Sequence, residues 1–272
     1  MLNLPVVVTT YTSEFSSGSK RYKNRNARIC NLADYNIFIS NHALSLSKHH
    51  GNKNNCSKVI YLGVDYTDFN PNYSTDEFKE NYSITNEIII VYVGWLTKRK
   101  GPQVLLNAIN SINHNKVKIF IVGPDHGLKE YLQFRIKEMS LQKSVFLLGK
   151  VNNDTLRKIY SLCDIFIFPT ITNDEGFGLV AVEAMASGCI VIASNIAAIP
   201  EVVKDGVSGY LFEPNNHFDL ADKINYVINS CDYLRMKDKS RQYAINNFSW
   251  EKMAKDTKST YENVLTYMKS SI

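Results

Sequence analysis

Short apolar runs alternate with longer amphipathic ones along most of this chain. The apolar runs over 5–10, 35–40, 58–62, 88–93, 116–122, 145–148, 165–169 and 189–193 predict strands, with a weaker one at 210–212. Between them, apolar residues recur at helical spacing over 25–33, 102–112, 127–139, 154–163, 178–187 and 219–230. From residue 88 onward the order is βαβαβαβα, which implies a right-handed, doubly wound, mostly parallel sheet of the α/β class. Its strands are apolar on both faces, as in Ile88-Ile-Ile-Val-Tyr-Val93, and that suits a sheet covered by helices on both sides. Asn70-Pro71-Asn72-Tyr73-Ser74 gathers turn-forming residues ahead of a short polar helix and reads as a linker. The tail over 250–268 reads as one amphipathic helix behind Ser249 as its N-cap.

Composition narrows the class. A chain of 272 residues can form one large or two modest domains and bury a core without disulfide or metal staples. With 44% hydrophobic and 21% charged residues, it is expected to be a folded, soluble protein. No apolar stretch approaches the roughly 20 residues of a membrane span. Five cysteines (30, 56, 163, 189 and 231) form no CxxC pair and read as reduced thiols. The first residues lack the basic n-region of a signal peptide, so a cytoplasmic protein is expected.

Charge is uneven. Residues 1–72 hold eight Lys/Arg against four Asp/Glu, and most of the excess is Lys20, Arg21, Lys23, Arg25 and Arg28. That cluster suits either phosphates, including an anionic membrane at its inner face, or a solvated helix face. No nucleic-acid partner is expected.

Two segments carry candidate chemistry. The first, Asp174-Glu175-Gly176-Phe177-Gly178-Leu179 through Glu183 to Gly188, follows the 165–169 strand and enters a helix. Ligands of open α/β sheets bind at the carboxyl ends of strands. Gly176 and Gly178 permit close backbone approach, and the helix N-terminus favours phosphate oxygens. Glu175 precedes the helix, and Glu183 stands about 7.5 Å further along its axis than Gly178. Two carboxylates beside an anion site would contact hydroxyls, such as those of a sugar and a ribose flanking a diphosphate. The alternative is a helix N-terminal charge and a solvated glutamate. The second segment, Gly94-Trp95-Leu96-Thr97-Lys98-Arg99-Lys100-Gly101-Pro102, places three cations between a strand and a helix. It reads as a phosphate cradle or as a solvated basic turn, and it is not a Walker A loop.

Taken together, these segments resemble the C-terminal lobe of the retaining GT-B glycosyltransferases of family 4. The resemblance runs over about residues 86–270. It rests on Gly94…Lys100-Gly101, Val122-Gly123-Pro124, Leu148-Gly149-Lys150-Val151, the Glu175/Glu183 pair with Ala-Met-Ala-Ser-Gly188, Ile199-Pro-Glu-Val-Val203 and Asp205-Gly206-Val-Ser-Gly209. It implies a Rossmann-like lobe over 73–248, a remnant of the N-terminal acceptor lobe over 1–72, and a closing helix over 249–272 that packs back on that remnant. It further implies that Glu175 and the backbone of Phe177, Gly178 and Leu179 hold the donor sugar, with Glu175 and Lys100 catalytic. Glu183 would take the ribose, Gly94, Lys100 and Arg99 the diphosphate, and Lys150 with Val151 the base. The implied reaction is metal-independent transfer of a hexose from a nucleotide-diphosphate sugar to an acceptor, with retention and without a further cofactor.

Two positions depart from the family pattern. Trp95 stands where the family usually has arginine, and Tyr11 where it often has histidine. His42, His49 and His50 read as surface residues. The short N-terminal segment keeps a second reading open, a non-catalytic or split donor-binding module completed by a partner chain or a homodimer. A sugar-nucleotide epimerase is a third reading, disfavoured by the carboxylate spacing.

Overall fold

The computed structural model describes residues 4–16, 18–112 and 116–270; residues 1–3, where the absence of a leader was read, lie outside them. The chain opens with β1 (Val7–Thr10), α1 (Ser13–Ser16), α2 (Lys20–Leu32), β2 (Tyr35–Phe38), α3 (Asn41–His49) and β3 (Ser57–Val59). These strands form a parallel sheet in the order β1-β2-β3, with β1 at one edge. After the linker come α4 (Asp76–Asn81), β4 (Ile88–Val93), α5 (Pro102–Ala108), β5 (Val117–Val122), α6 (Lys129–Glu138), β6 (Val145–Gly149) and α7 (Asn153–Leu162). Then follow β7 (Ile165–Phe168), α8 (Leu179–Ala186), β8 (Ile190–Ser194), α9 (Ile199–Val202), β9 (Gly209–Phe212), α10 (His217–Ile228), α11 (Tyr233–Phe248) and α12 (Trp250–Ser270). The second sheet is parallel throughout, in the order β6-β5-β4-β7-β8-β9. The doubly wound α/β class expected from the alternation is what forms.

Successive residues of a strand point to opposite faces, and both faces of this sheet are dry. Ile89, Val91, Phe120, Val122, Phe166 and Phe168 face one cluster, while Ile90, Tyr92, Ile119, Ile121, Ile165 and Ile167 face the other. Each such side chain contributes about 1.5–3 kcal/mol on burial. The first cluster runs on into the N-terminal sheet through Phe38, Ile39, Ala43 and Val64, so the two sheets share one core.

Three helical features differ from the sequence pattern. Helix α2 starts at Lys20 rather than at 25, capped by the Ser19 hydroxyl, which accepts from the Tyr22 N–H at 3.3 Å. Helices α3 and α11 carry no predicted period. Their buried residues are Ala43 and Ser47 in α3, and Ser240, Ala244 and Phe248 in α11. Small residues let these helices pack closely but leave no apolar stripe to read. The tail helix forms as expected, with Ser249 Oγ accepting from the Lys252 N–H at 3.2 Å. It returns to the N-terminal sheet: Trp250 N donates to Val64 O, and Lys58 Nζ lies 3.8 Å from Asp256. No helix of the described residues is long and apolar enough to cross a membrane.

Strand order reverses between β4 and β7, so the turns leaving these neighbours converge. The Arg99 carbonyl accepts from Ile171 N at 2.9 Å and from Thr170 Oγ1 at 3.1 Å, tying the basic turn to the end of β7. Gly101 follows with φ 74°, and a Cβ there would lie 1.9 Å from the Pro169 carbonyl oxygen. Neither the backbone conformation nor the space admits a side chain. Gly101→Ala is therefore expected to cost at least about 1–3 kcal/mol. A urea midpoint equal to that of the parent would contradict this.

Candidate functional site

The basic turn owes its shape to local bonds. Thr97 caps a single 3₁₀ turn, Lys98–Lys100, its hydroxyl accepting from Lys100 N at 3.3 Å. Buried Tyr92 donates its hydroxyl to the Trp95 carbonyl at 2.9 Å. Opposite stands the loop after β7, and Gly178, at φ 89°, opens helix α8. A Cβ on Gly178 would meet the Phe168 ring at 2.7 Å, so only glycine lets the chain turn here.

The two turns face each other through two ion pairs. Lys100 Nζ lies 2.5 Å from Glu175 Oε2 and 5.8 Å from the centre of the Phe168 ring. Arg99 Nη1 lies 2.9 Å from Asp174 Oδ2, and Thr172 donates its hydroxyl to the other Asp174 oxygen. Burial raises the Asp174 pKa, but the Thr172 hydroxyl and the Arg99 and Lys100 charges outweigh it and hold the carboxyl below its ordinary value. Between the turns lies a cavity of about 370 Å³, lined among others by Gly94, Trp95, Arg99, Lys100, Glu175 and Gly178. The α8 N-terminus opens onto it at Gly178, Leu179 and Val180, and the first N–H groups of a helix lack intrahelical acceptors. Cations, a helix N-terminus and a carboxylate thus share one cavity at the strand-order switch, where open α/β sheets take their ligands.

The other sequence-nominated residues lie around this cavity rather than in its wall. The Phe177 side chain is buried between Tyr61 and Phe248, with ring centres 5.8 and 5.6 Å away, so only its backbone is available to a ligand. Glu183 projects toward α7, where Tyr160 donates its hydroxyl to Glu183 Oε2 at 2.9 Å. Lys150 and Val151 follow β6, in the third of three linked turns: Gly94 N donates to Val122 O, and Gly123 N to Gly149 O. Lys150 is exposed, and Val151 packs on the core. Trp95 stacks on His126 at 4.5 Å and stays half-exposed at the cavity rim. Among the described residues, no three His, Cys, Asp or Glu side chains are grouped as a metal site.

Sequence reasoning missed three partners. Asp174 and Tyr160 hold nominated residues from positions remote in sequence. Glu201, one turn into the Ile199-Pro-Glu motif, reaches across to the N-terminal sheet. Its carboxylate accepts from Asn41 N at 2.7 Å, His42 N at 2.8 Å and the Tyr61 hydroxyl at 3.2 Å. Burial and that carboxylate push the Tyr61 pKa up to about 12. His42 is not simply a surface residue: it is half-buried, with Nε2 3.2 Å from the Asn173 carbonyl in the site loop. The N-terminal segment also touches the loop at Gly176, where a Cβ would lie 2.8 Å from Thr12 Oγ1.

Residues 74–247 match the family model described as Glycosyl transferases group 1. The chain is 32% identical over 225 residues to an uncharacterized glycosyltransferase of Methanocaldococcus jannaschii, covering 78% of this chain and 55% of that one. It is 29% identical over 221 residues to spore coat protein SA of Bacillus subtilis, covering 76% and 58%. It thus spans little more than half the length of these curated relatives. In fold it is similar to Anabaena HepE, solved with UDP and glucose (TM-score 0.85, 21% identity, 95% of this chain and 71% of that one). It is likewise similar to a Rickettsia africae glycosyltransferase (TM-score 0.84, 24% identity, 95% and 70%).

Burial raises the Glu183 pKa to about 7, against a smaller lowering by the Tyr160 hydroxyl. The folded state therefore holds this proton more tightly than the unfolded state does. The stability this confers is present at low pH and is lost as pH rises from the unfolded value through about 7. Glu183→Gln removes the buried charge while keeping a hydrogen-bonding side chain. Its melting temperature is expected to exceed that of the parent at pH 8 and to converge with it as pH falls below the unfolded value of 4.5. A difference that stays the same between pH 8 and pH 4 would contradict the burial argument.

Proposed function

The chain belongs to the group 1 glycosyl transferases, of GT-B fold, and on that premise we propose that it transfers a hexose from a nucleotide-diphosphate sugar to an acceptor, with retention as in family 4. The observation that carries this reading is the Lys100–Glu175 pair in the cavity between β4 and β7, beside the α8 N-terminus. HepE has been solved with UDP-glucose, and a Staphylococcus aureus TarM variant with UDP and α-GlcNAc-glycerol. Both support UDP as the nucleotide of the donor.

In this reading the diphosphate displaces two carboxylates from two cations. Lys100 and the N–H groups of Gly178 and Leu179 take the phosphate oxygens. Arg99, released from Asp174, supplies the second cation, because Trp95 occupies the family's arginine position. Glu175, released from Lys100, accepts from a hydroxyl of the donor sugar, and the Phe177 backbone borders it. Glu183 takes the ribose hydroxyls, and the Lys150-Val151 turn borders the base. As the glycosidic bond breaks, negative charge builds on the leaving diphosphate while the sugar becomes oxocarbenium-like. Fixed cations and N–H dipoles aimed at that oxygen lower the barrier without reorganising. They support a metal-independent reaction with no cofactor beyond the donor.

Residues 73–248 form the donor lobe in this assignment. Residues 1–72 contribute the part of the acceptor lobe that closes on the site loop through Thr12 and His42, and 249–272 bind the two together. The acceptor enters between them. None of the five cysteines is in a disulfide, which supports a reducing, cytoplasmic setting.

The test separates diphosphate from nucleoside. Lys100→Ala is expected to weaken UDP-glucose by about 10- to 100-fold in calorimetry, the worth of a charge-assisted hydrogen bond, and to leave uridine affinity unchanged. An equal loss for uridine, or none for UDP-glucose, would remove Lys100 from the diphosphate site.

A further inference from the structure

One aromatic side chain joins the N-terminal segment to the loop that carries Glu175. Tyr61 follows β3 and is half-buried. Its hydroxyl donates to Glu201 Oε2 on α9 at 3.2 Å and accepts from Asn41 Nδ2 on α3 at 3.0 Å. Its ring stacks on the Phe177 ring, 5.8 Å away and tilted by 26°. It also meets the Phe248 ring edge-to-face, at 5.7 Å and 75°. Phe177 and Phe248 close the triangle at 5.6 Å and 80°. Offset stacking and edge-to-face contact are the favoured geometries of aromatic pairs. The ring is thus gripped on two sides, independently of its hydroxyl.

The loop has few other ties. From Glu175 to Gly178 the chain is neither strand nor helix. Two backbone hydrogen bonds among the described residues hold it. One is long, from Ala198 N to Glu175 O at 3.4 Å, and the other, from Ala181 N to Gly178 O at 2.9 Å, belongs to the start of α8. Gly176 and Gly178 offer no side chain to pack, so Phe177 is the loop's only apolar side chain, and it is 2% exposed. Glu175, two residues upstream, reaches Lys100 in the cavity. Gly178 is placed separately, by α8 and by its close approach to Phe168. A shift of the Phe177 ring therefore moves Glu175 and leaves the helix N-terminus where it is.

We propose that Tyr61 is a positioning residue for the donor sugar: its ring holds Phe177 and, through Phe177, sets the place of the Glu175 carboxylate. The inference rests on the transferase reading, in which Glu175 accepts from a sugar hydroxyl while Lys100 takes the diphosphate. Tyr61 itself is not in the wall of the donor cavity, so its effect reaches the sugar only through the loop. Two consequences follow from the geometry. The sugar feels the loss of the ring, and the diphosphate does not. The hydroxyl, which ties α3 to α9, is dispensable for this role, because Phe177 and Phe248 keep a phenyl ring in the same place.

The experiment is calorimetry of UDP and of UDP-glucose with the full chain and its Tyr61→Phe, Tyr61→Leu and Phe177→Leu variants, each below its own melting temperature. Tyr61→Leu is expected to weaken UDP-glucose by about tenfold, the lower worth of a charge-assisted hydrogen bond, with UDP bound no more weakly than by the parent. Tyr61→Phe should match the parent for both. Phe177→Leu cuts the same contact from the other side and should reproduce the loss, and the double variant should lose no more than either single one. A second readout needs no nucleotide. Acetylation of Lys100 by acetic anhydride, followed by mass spectrometry with exposed Lys98 as internal reference, reports whether Glu175 still covers the amine. It should rise by about threefold in Tyr61→Leu, the worth of a partly exposed ion pair, and stay at the parent's level in Tyr61→Phe. Lys100 labelling unchanged in both leucine variants would overturn the proposal. So would an equal loss of UDP and UDP-glucose, since a general disturbance of the fold spares neither. A parent that binds neither nucleotide contradicts the transferase reading and with it the role in sugar binding, while the Lys100 labelling separately decides whether Tyr61 places Glu175.

Discussion

The hydrogen bonds from Ile171 and Thr170 to the Arg99 carbonyl hold together everything the site needs. They bind the turn after β4 to the turn after β7 at the point where strand order reverses. Without that join, Lys100 and Arg99 would be long side chains on a free loop. With it, their backbone is fixed, and each reaches a carboxylate of the facing loop. The glycines serve the same constraint, since Gly101 lets the turn pass against Pro169 and Gly178 lets the helix start against Phe168. The cations are thus preorganised by backbone contacts rather than by the carboxylates they currently hold.

A second constraint links the two sheets. Glu201 gives its carboxylate to the first N–H groups of α3, where helix dipole and hydrogen bonding both favour a negative charge. Helix α12 makes a second link, entering from Ser249 beside Val64. The N-terminal segment also touches the cavity loop, through His42 at Asn173 and Thr12 at Gly176. The N-terminal segment is therefore seated on the donor half by polar bonds and a shared apolar core. The loop that carries Glu175 lies between them, where a second substrate must approach.

Much of this was legible in the sequence, for a physical reason. A parallel sheet covered on both faces needs near-continuous β-branched runs, and those runs marked each strand. The carboxyl ends of β4 and β7 then located the two glycine-bearing turns, which is why Lys100 and Glu175 were both nominated, though their contact with each other was not. What stayed hidden depended on packing or on distant partners. Helices α3 and α11 bury alanine and serine, so no apolar period announced them. Asp174 reads as one more loop acid until Arg99 is placed beside it. Tyr160 and Glu183 lie on different helices, and no spacing in the sequence joins them. Phe177 was nominated for its backbone alone, and what the sequence did not show is where its ring goes, inward to Tyr61 and Phe248.

The central claim concerns place: that a nucleotide sugar binds at the carboxyl ends of β4 and β7. Hydrogen–deuterium exchange of the full chain with and without saturating UDP-glucose tests it directly. The account predicts slowed exchange in the turn from Trp95 through Gly101 and in the loop and helix from Glu175 through Glu183. Protection that spares both, or that gathers at the cavity lined by Gly206, Tyr210, Arg235 and Lys239 near the amino ends of β8 and β9, would contradict it.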